Sequence, residues 1–235
     1  MSDDKSSESI RHHSLRHSEL ALTGIQCLLV ISWCFWGCAQ TVQPSKPVMA
    51  VKEWVCDPEA DERLKAGDLE AGIERHFSFL KNNPVNGLTL YHIGYAYGRQ
   101  GDFDKEVEYY EKAIRAGYQK DGLFFNLGMV YGELQEYEKA VDAFQRGLVV
   151  NPKYSDHYFG LGLLYHKTED LIQAESFLLK AIGLNPKNLD ARLFLSEIYV
   201  AQSKREKALE QVRQILAIDP EHPVAREYLK QLEEP

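Results

Sequence analysis

Asp121–Tyr154 reads DGLFFNLGMVYGELQEYEKAVDAFQRGLVVNPKY, and its landmarks return every 34 residues. Tyr131 has counterparts at Tyr97, Tyr165 and Tyr199. Leu127 matches Ile93, Leu161 and Leu195, and a small residue follows each: Gly94, Gly128, Gly162 or Ser196. Pro152 returns as Pro186 and Pro220, always behind Asn or Asp. One step back from Pro152 falls on Tyr118, and a second falls on Pro84, which restores the phase. A fixed period decides an architecture before local secondary structure does, because a recurring unit must stack on copies of itself.

Within the quoted unit, apolar residues recur at helical spacing over Leu123–Leu134 and again over Tyr137–Val150. Gly128 and its counterparts remove the Cβ where two helix axes approach. Ala140, Ala174 and Ala208 do the same on second helices, where the first repeat has Glu106 instead. Asn-Pro and Asp-Pro end the second helices, since the residue before proline is pushed out of the α region. Asp121, Ser155 and Asp190 stand near the following starts, where they can cap exposed N–H groups. One such hairpin cannot bury its apolar stripe alone, but stacked hairpins share a continuous core. The fold expected is all-α, a solenoid of helical hairpins.

These residues resemble the tetratricopeptide-repeat (TPR) family. The match covers four units, 87–120, 121–154, 155–188 and 189–222. An earlier degenerate unit, 53–86, keeps Gly67-Asp68-Leu69 and Pro84, and residues 223–235 stand where the family has a capping helix. The resemblance implies a right-handed superhelix whose first helices line a concave groove. The fifth and ninth residues of each unit would face it: Tyr91 and Tyr95, Phe125 and Met129, Phe159 and Leu163, then Leu193 and Glu197. Relatives that clamp a C-terminal carboxylate use Lys, Asn and Arg there, and only Asn126 matches. The implied partner is therefore a protein or peptide with an apolar or amphipathic segment. The alternative is that these aromatics pack against neighbouring repeats. Tyr97, Tyr131, Tyr165 and Tyr199 are core positions in the family and are excluded from the groove.

Leu20–Gly37, LALTGIQCLLVISWCFWG, carries no charge and follows Arg11 and Arg16. A basic cluster, an apolar run and a small-residue site describe a signal peptide or membrane anchor over 1–37, followed by a polar tether over 38–52. Phe-Trp-Gly-Cys resembles a bacterial lipoprotein box, which implies that Cys38 is acylated and heads the mature chain. Ala39 and Gln40, not Asp, follow it, which by the same resemblance implies the outer membrane. Two other readings are an uncleaved single-pass anchor and ordinary cleavage after Ala39. All three put the repeats outside the cytoplasm, since the basic cluster precedes the run.

Hydrophobic residues make up 44% of the 235, which suffices for a core, and the net charge of −8 argues against a nucleic-acid partner. Cys27, Cys34, Cys38 and Cys56 form no disulfide framework and no zinc-type spacing. Cys56 reads as a buried hydrophobe or as a thiol able to pair between chains. No nucleophile, phosphate-loop or dinucleotide motif appears, so no enzymatic activity and no cofactor are expected. His92, His157 and His166 read as surface or groove polar contacts rather than metal ligands, because no acidic or Cys partner recurs beside them. The expectation is a membrane-anchored, extracytoplasmic adaptor lipoprotein in envelope assembly or secretion. Its layout is similar to that of pilotin-type lipoproteins of type IV pilus secretins. A self-associating scaffold of an envelope complex and a single-pass anchored repeat protein are the alternatives.

Overall fold

The computed structural model describes residues 54–233. The expected signal or anchor segment 1–37, the acyl acceptor Cys38 and the tether 38–52 lie outside the described residues. Those described form eleven helices and no strand. Five consecutive hairpins are α1 (Pro58–Ala66) with α2 (Leu69–Asn82), α3 (Gly87–Gln100) with α4 (Phe103–Arg115), α5 (Asp121–Glu133) with α6 (Tyr137–Val150), α7 (Ser155–Lys167) with α8 (Leu171–Leu184), and α9 (Leu189–Ala201) with α10 (Arg205–Ile218); α11 (Pro223–Glu233) closes the stack. Four first helices begin at Gly87, Asp121, Ser155 and Leu189, 34 residues apart. The degenerate unit supplies two helices as well. Asp57 caps the first of them through Glu59 and Ala60 N–H, and Pro58 opens it.

The small-residue positions act as the spacing demands. A Cβ on Gly128 would lie 2.5 Å from the Phe144 ring of the facing helix. Ala140, Ala174 and Ala208 are fully buried. The recurrent tyrosines sort into two kinds. Tyr131 and Tyr199 are buried, whereas Tyr97 and Tyr165 are half-buried and stack on Tyr109 and Phe177, at 5.5 and 5.4 Å between ring centroids.

Helix starts differ from expectation. Asn86 and Asn188 cap α3 and α9 by accepting from Thr89 and Ala191 N–H. Asp121, Ser155 and Asp190 do not cap. The Asp121 carboxylate accepts from Gly122 N–H and from Asn151 Nδ2, and Ser155 donates to Asp156. Each lies one or two residues inside the helix, past the position from which a side chain reaches back to the free amides. Second helices are capped instead by Asp68, Asp102 and Asp170, again 34 or 68 residues apart.

Between the two helices of each hairpin, one residue takes positive φ at the same step: Gly67, Gly101, Gln135, Glu169 and Ser203. After the second helices, Asn151, Asn185 and Asp219 accept from the N–H two residues on, folding the chain over the intervening proline. Where Tyr118 replaces proline, the turn changes. Gly117 N–H donates to Ile114 C=O and Tyr118 N–H to Ala113 C=O, with Gly117 at φ +91°, a Schellman closure. The Tyr118 ring is thereby turned inward between Tyr91 and Trp54.

Candidate functional site

The face formed by α3, α5 and α7 divides into two columns. Fifth-position side chains turn their rings into the stack. Tyr91 lies 5.5 Å from both Tyr110 and Tyr118, and its hydroxyl accepts from Asn126 Nδ2 at 3.0 Å. Desolvation pushes its phenol up to about 12, so it remains a neutral hydrogen-bonding group. Phe125 packs near Phe144 and His157, and Phe159 near Phe194. Tyr91, Phe125, Asn126 and Phe159 are all half-buried, bound into the core on one side.

Of the ninth-position side chains Tyr95 is exposed, whereas Met129, Leu163 and Glu197 are half-buried and Met129 also packs against the core. Tyr95 stands over a cavity of about 380 Å³ with Asp61, Leu64, Lys65, His92 and Arg99. Met129 and Leu163 line a smaller recess of about 30 Å³ floored by Phe144 and bordered by Gly128, Gly160 and Lys167. The column ends at Glu197, which accepts from the Tyr228 hydroxyl of α11 at 3.2 Å. Structure therefore joins Tyr91 to Asn126 and Met129 to Leu163, and sets Tyr95 apart beside the first unit. The fifth-position rings pack against the facing helices and their neighbours.

Polar bonds between successive first helices keep these columns in register. Arg99 donates to Leu64 C=O at 2.9 Å and Lys167 to Gly132 C=O at 3.3 Å, each adding a second donor to a carbonyl in the last turn of the preceding first helix. His157, expected at the surface or groove, is fully buried. Its ring occupies the space left by Gly147, where a Cβ would lie 2.1 Å away, and Tyr154, Phe125 and Phe144 surround it. Burial holds its imidazole below the usual range and hence neutral.

Sequence reading took Cys56 and His92 separately and expected no acidic or Cys partner beside His92, but the structure sets both Asp61 and Cys56 there. Cys56 donates its S–H to Asp61 Oδ2 at 2.8 Å, while Asp61 Oδ1 lies 2.7 Å from His92 Nδ1 and 3.2 Å from His76 Nε2. Burial, and then the carboxylate beside it, push the Cys56 thiol up to about 11. No local motif announces the group, since the stacking of α1, α2 and α3 alone brings Asp61, His76 and His92 together.

Helical hairpins on a 34-residue step, stacked with their first helices along one face, define a class of protein-interaction repeat. The chain belongs to the tetratricopeptide-repeat family: three models of that family match residues 89–116, 123–154 and 165–232, more than half of the chain together. Among solved structures, YrrB, a TPR protein with an unusual peptide-binding site, is 25% identical with a TM-score of 0.59, covering 73% of this chain and 88% of its own. MamA is 24% identical with a TM-score of 0.64, covering 71% and 98%. PilF of Pseudomonas aeruginosa is 15% identical with a TM-score of 0.64, covering 74% and 85%. No curated protein matches the sequence significantly.

Proposed function

We propose that this chain is a membrane-anchored adaptor working outside the cytoplasm, lipidated at Cys38 and holding a partner polypeptide on its first-helix face. The observation that carries the adaptor reading is the ninth-position column. Tyr95, Met129 and Leu163 offer apolar surface at three successive repeat steps, along an edge where the fifth-position rings give a rigid floor. An extended or helical segment with apolar groups at regular spacing matches such a row. Likeness to YrrB, with its peptide-binding site, supports a polypeptide as the ligand class. The apolar run before Gly37-Cys38 supports the anchor, and Ala39-Gln40 supports the outer membrane, facing the periplasm. Assembly or secretion in the envelope, of the pilotin kind, is the process this layout suits. Among the described residues no helix is long and apolar enough to cross a membrane.

Site-specific photo-crosslinking in cells tests the reading. A photoreactive residue placed at Tyr95 or Leu163 is expected to give a discrete protein adduct. The same residue at Ile172, which is 80% exposed on α8, is expected to give none. Adducts from Ile172 alone would move the binding face to the second helices. In the same cells, a fatty-acid label that persists in Cys38→Ser would remove the lipid anchor from the proposal.

A further inference from the structure

Three segments meet at the N-terminal end of the stack, and each brings a metal-binding side chain. Cys56 lies on the chain entering α1, Asp61 in the first half of α1, and His92 on α3. Their donor atoms, Sγ, a carboxylate oxygen and an imidazole nitrogen, all lie within 4.8 Å of one another. From the geometry we infer a site for a divalent transition-metal cation of the zinc class, ligated by Cys56, Asp61 and His92, with its fourth position facing the cavity beside Tyr95.

Unsatisfied polar atoms point the same way. Asp61 Oδ1, His76 Nε2 and His92 Nδ1 are buried at short range from one another, yet none completes a hydrogen bond of acceptable direction. His76 is fully buried and stays outside the ligand set, 3.2 Å from Asp61 Oδ1. Buried polar atoms left in this state cost stability unless something else satisfies them. A cation accepts lone pairs from several directions at once, which a single shared proton cannot do.

The donor set selects the ion. One thiolate, one carboxylate and one imidazole suit zinc and cobalt, and they are too soft and too few for calcium or magnesium. Nearby positive charge is already engaged. Lys65 pairs with Glu62 at 2.7 Å, Arg99 donates to Leu64 C=O, and Arg75 pairs with Asp57 and Glu59. Binding would replace the Cys56 S–H···Asp61 hydrogen bond by two metal–ligand bonds and release the thiol proton to solvent. Small separations must open in the process, because ligands around a tetrahedral zinc stand farther apart than hydrogen-bonded atoms do. The result would be a cross-brace tying the entering chain and α1 to α3, at one end of the ninth-position column.

The test is titration of the purified full chain with Co²⁺, which takes zinc sites and reports thiolate ligation optically. Expected are a thiolate-to-cobalt charge-transfer band in the near ultraviolet and intense visible bands of four-coordinate cobalt, saturating at one ion per chain and bleached by Zn²⁺. Cys56→Ser should abolish the charge-transfer band. His92→Ala should raise the cobalt Kd by ~10-fold or more. The combined Cys27→Ser, Cys34→Ser, Cys38→Ser variant should keep the spectrum. No charge-transfer band, a band that survives Cys56→Ser, or one lost in the combined variant would each overturn the site. Far-ultraviolet circular dichroism of Cys56→Ser, a near-isosteric change at a half-buried position, verifies that spectral loss is not unfolding.

Discussion

The carboxyl group of Glu106 fills the space that Gly98 leaves on the facing helix; a Cβ there would lie 2.4 Å from the Glu106 carboxyl carbon. The three later repeats place alanine at the Glu106 position, whereas this hairpin sets an acid against a glycine. The arrangement buries the acid. Desolvation raises its pKa from 4.5 to about 7, with the Tyr110 hydroxyl offsetting part of the rise.

Because the folded pKa lies above the unfolded one, folding favours the protonated acid. Its ionisation therefore costs nothing below about pH 4.5, costs progressively more as pH rises toward 7, and levels off above that. The accumulated penalty is on the order of 3 kcal/mol. Urea unfolding from pH 5 to 8 should show Glu106→Gln gaining stability over the wild type as pH rises. Parallel curves would mean that Glu106 titrates normally.

Positive-φ residues offer a second test. Gly67 and Gly101 occupy the hairpin turn of the first two units, but Gln135, Glu169 and Ser203 hold the same left-handed conformation with a Cβ. That conformation is unfavourable for L-residues, and glycine's extra unfolded-state entropy returns part of the gain. Gln135→Gly, Glu169→Gly and Ser203→Gly should each stabilise by about 0.5–1 kcal/mol. Gly101→Ala should destabilise by about 1 kcal/mol. Melting temperatures that do not move, or move the other way, would show the turns adapting their backbone.

The two columns of the first-helix face should respond differently to truncation. Phe125→Ala removes a ring packed near Phe144 and His157 and should cost about 3 kcal/mol. Asn126→Ala breaks the bond to the Tyr91 hydroxyl and should cost about 1 kcal/mol. Leu163→Ala, outside the buried core clusters, should cost about 1 kcal/mol or less while lowering crosslinking at the face. Equal losses across the three would erase the distinction between floor and edge.

Gly147 and His157 supply a fourth measurement. Gly147→Ala drives a methyl group into the imidazole and should destabilise by about 1–3 kcal/mol. Gly183→Ala, on the second helix of the next hairpin, meets nothing within 4 Å and should be neutral or stabilising. Chemical denaturation of the pair decides it, and similar outcomes would mean that the ring moves aside.

How much of this could be read from the chain follows from what period 34 encodes. Tyr97, Tyr131, Tyr165 and Tyr199, with the prolines, fix the phase of the hairpins, because each marks the same place in a unit. Period says which residues are equivalent but not how deeply each sinks. Phe125 and Tyr91 occupy groove positions, yet their rings are large enough to reach the second helices and join the core. His157 was legible only through Gly147, ten residues before it and on another helix. Capping failed for a related reason, since Asp121 and Asn86 differ by one step along the helix start, below the resolution of pattern reading. The Cys56, Asp61 and His92 group arises from stacking between units, where no local spacing records the meeting.

Trp54 rests edge-on against Tyr118 at 5.6 Å, and Asn86 Nδ2 donates to Val55 C=O at 2.6 Å. The chain thus enters its solenoid through a small clasp on Asn86, at the end of the degenerate unit, and on Tyr118 of the first complete repeat. Tension arriving along residues before Trp54 would load that clasp and α1 first. Repeats stacked only on their neighbours yield one at a time, so the clasp would serve as a mechanical fuse. The Met129–Leu163 recess, two hairpins further in, would keep its shape while the end unit gives way.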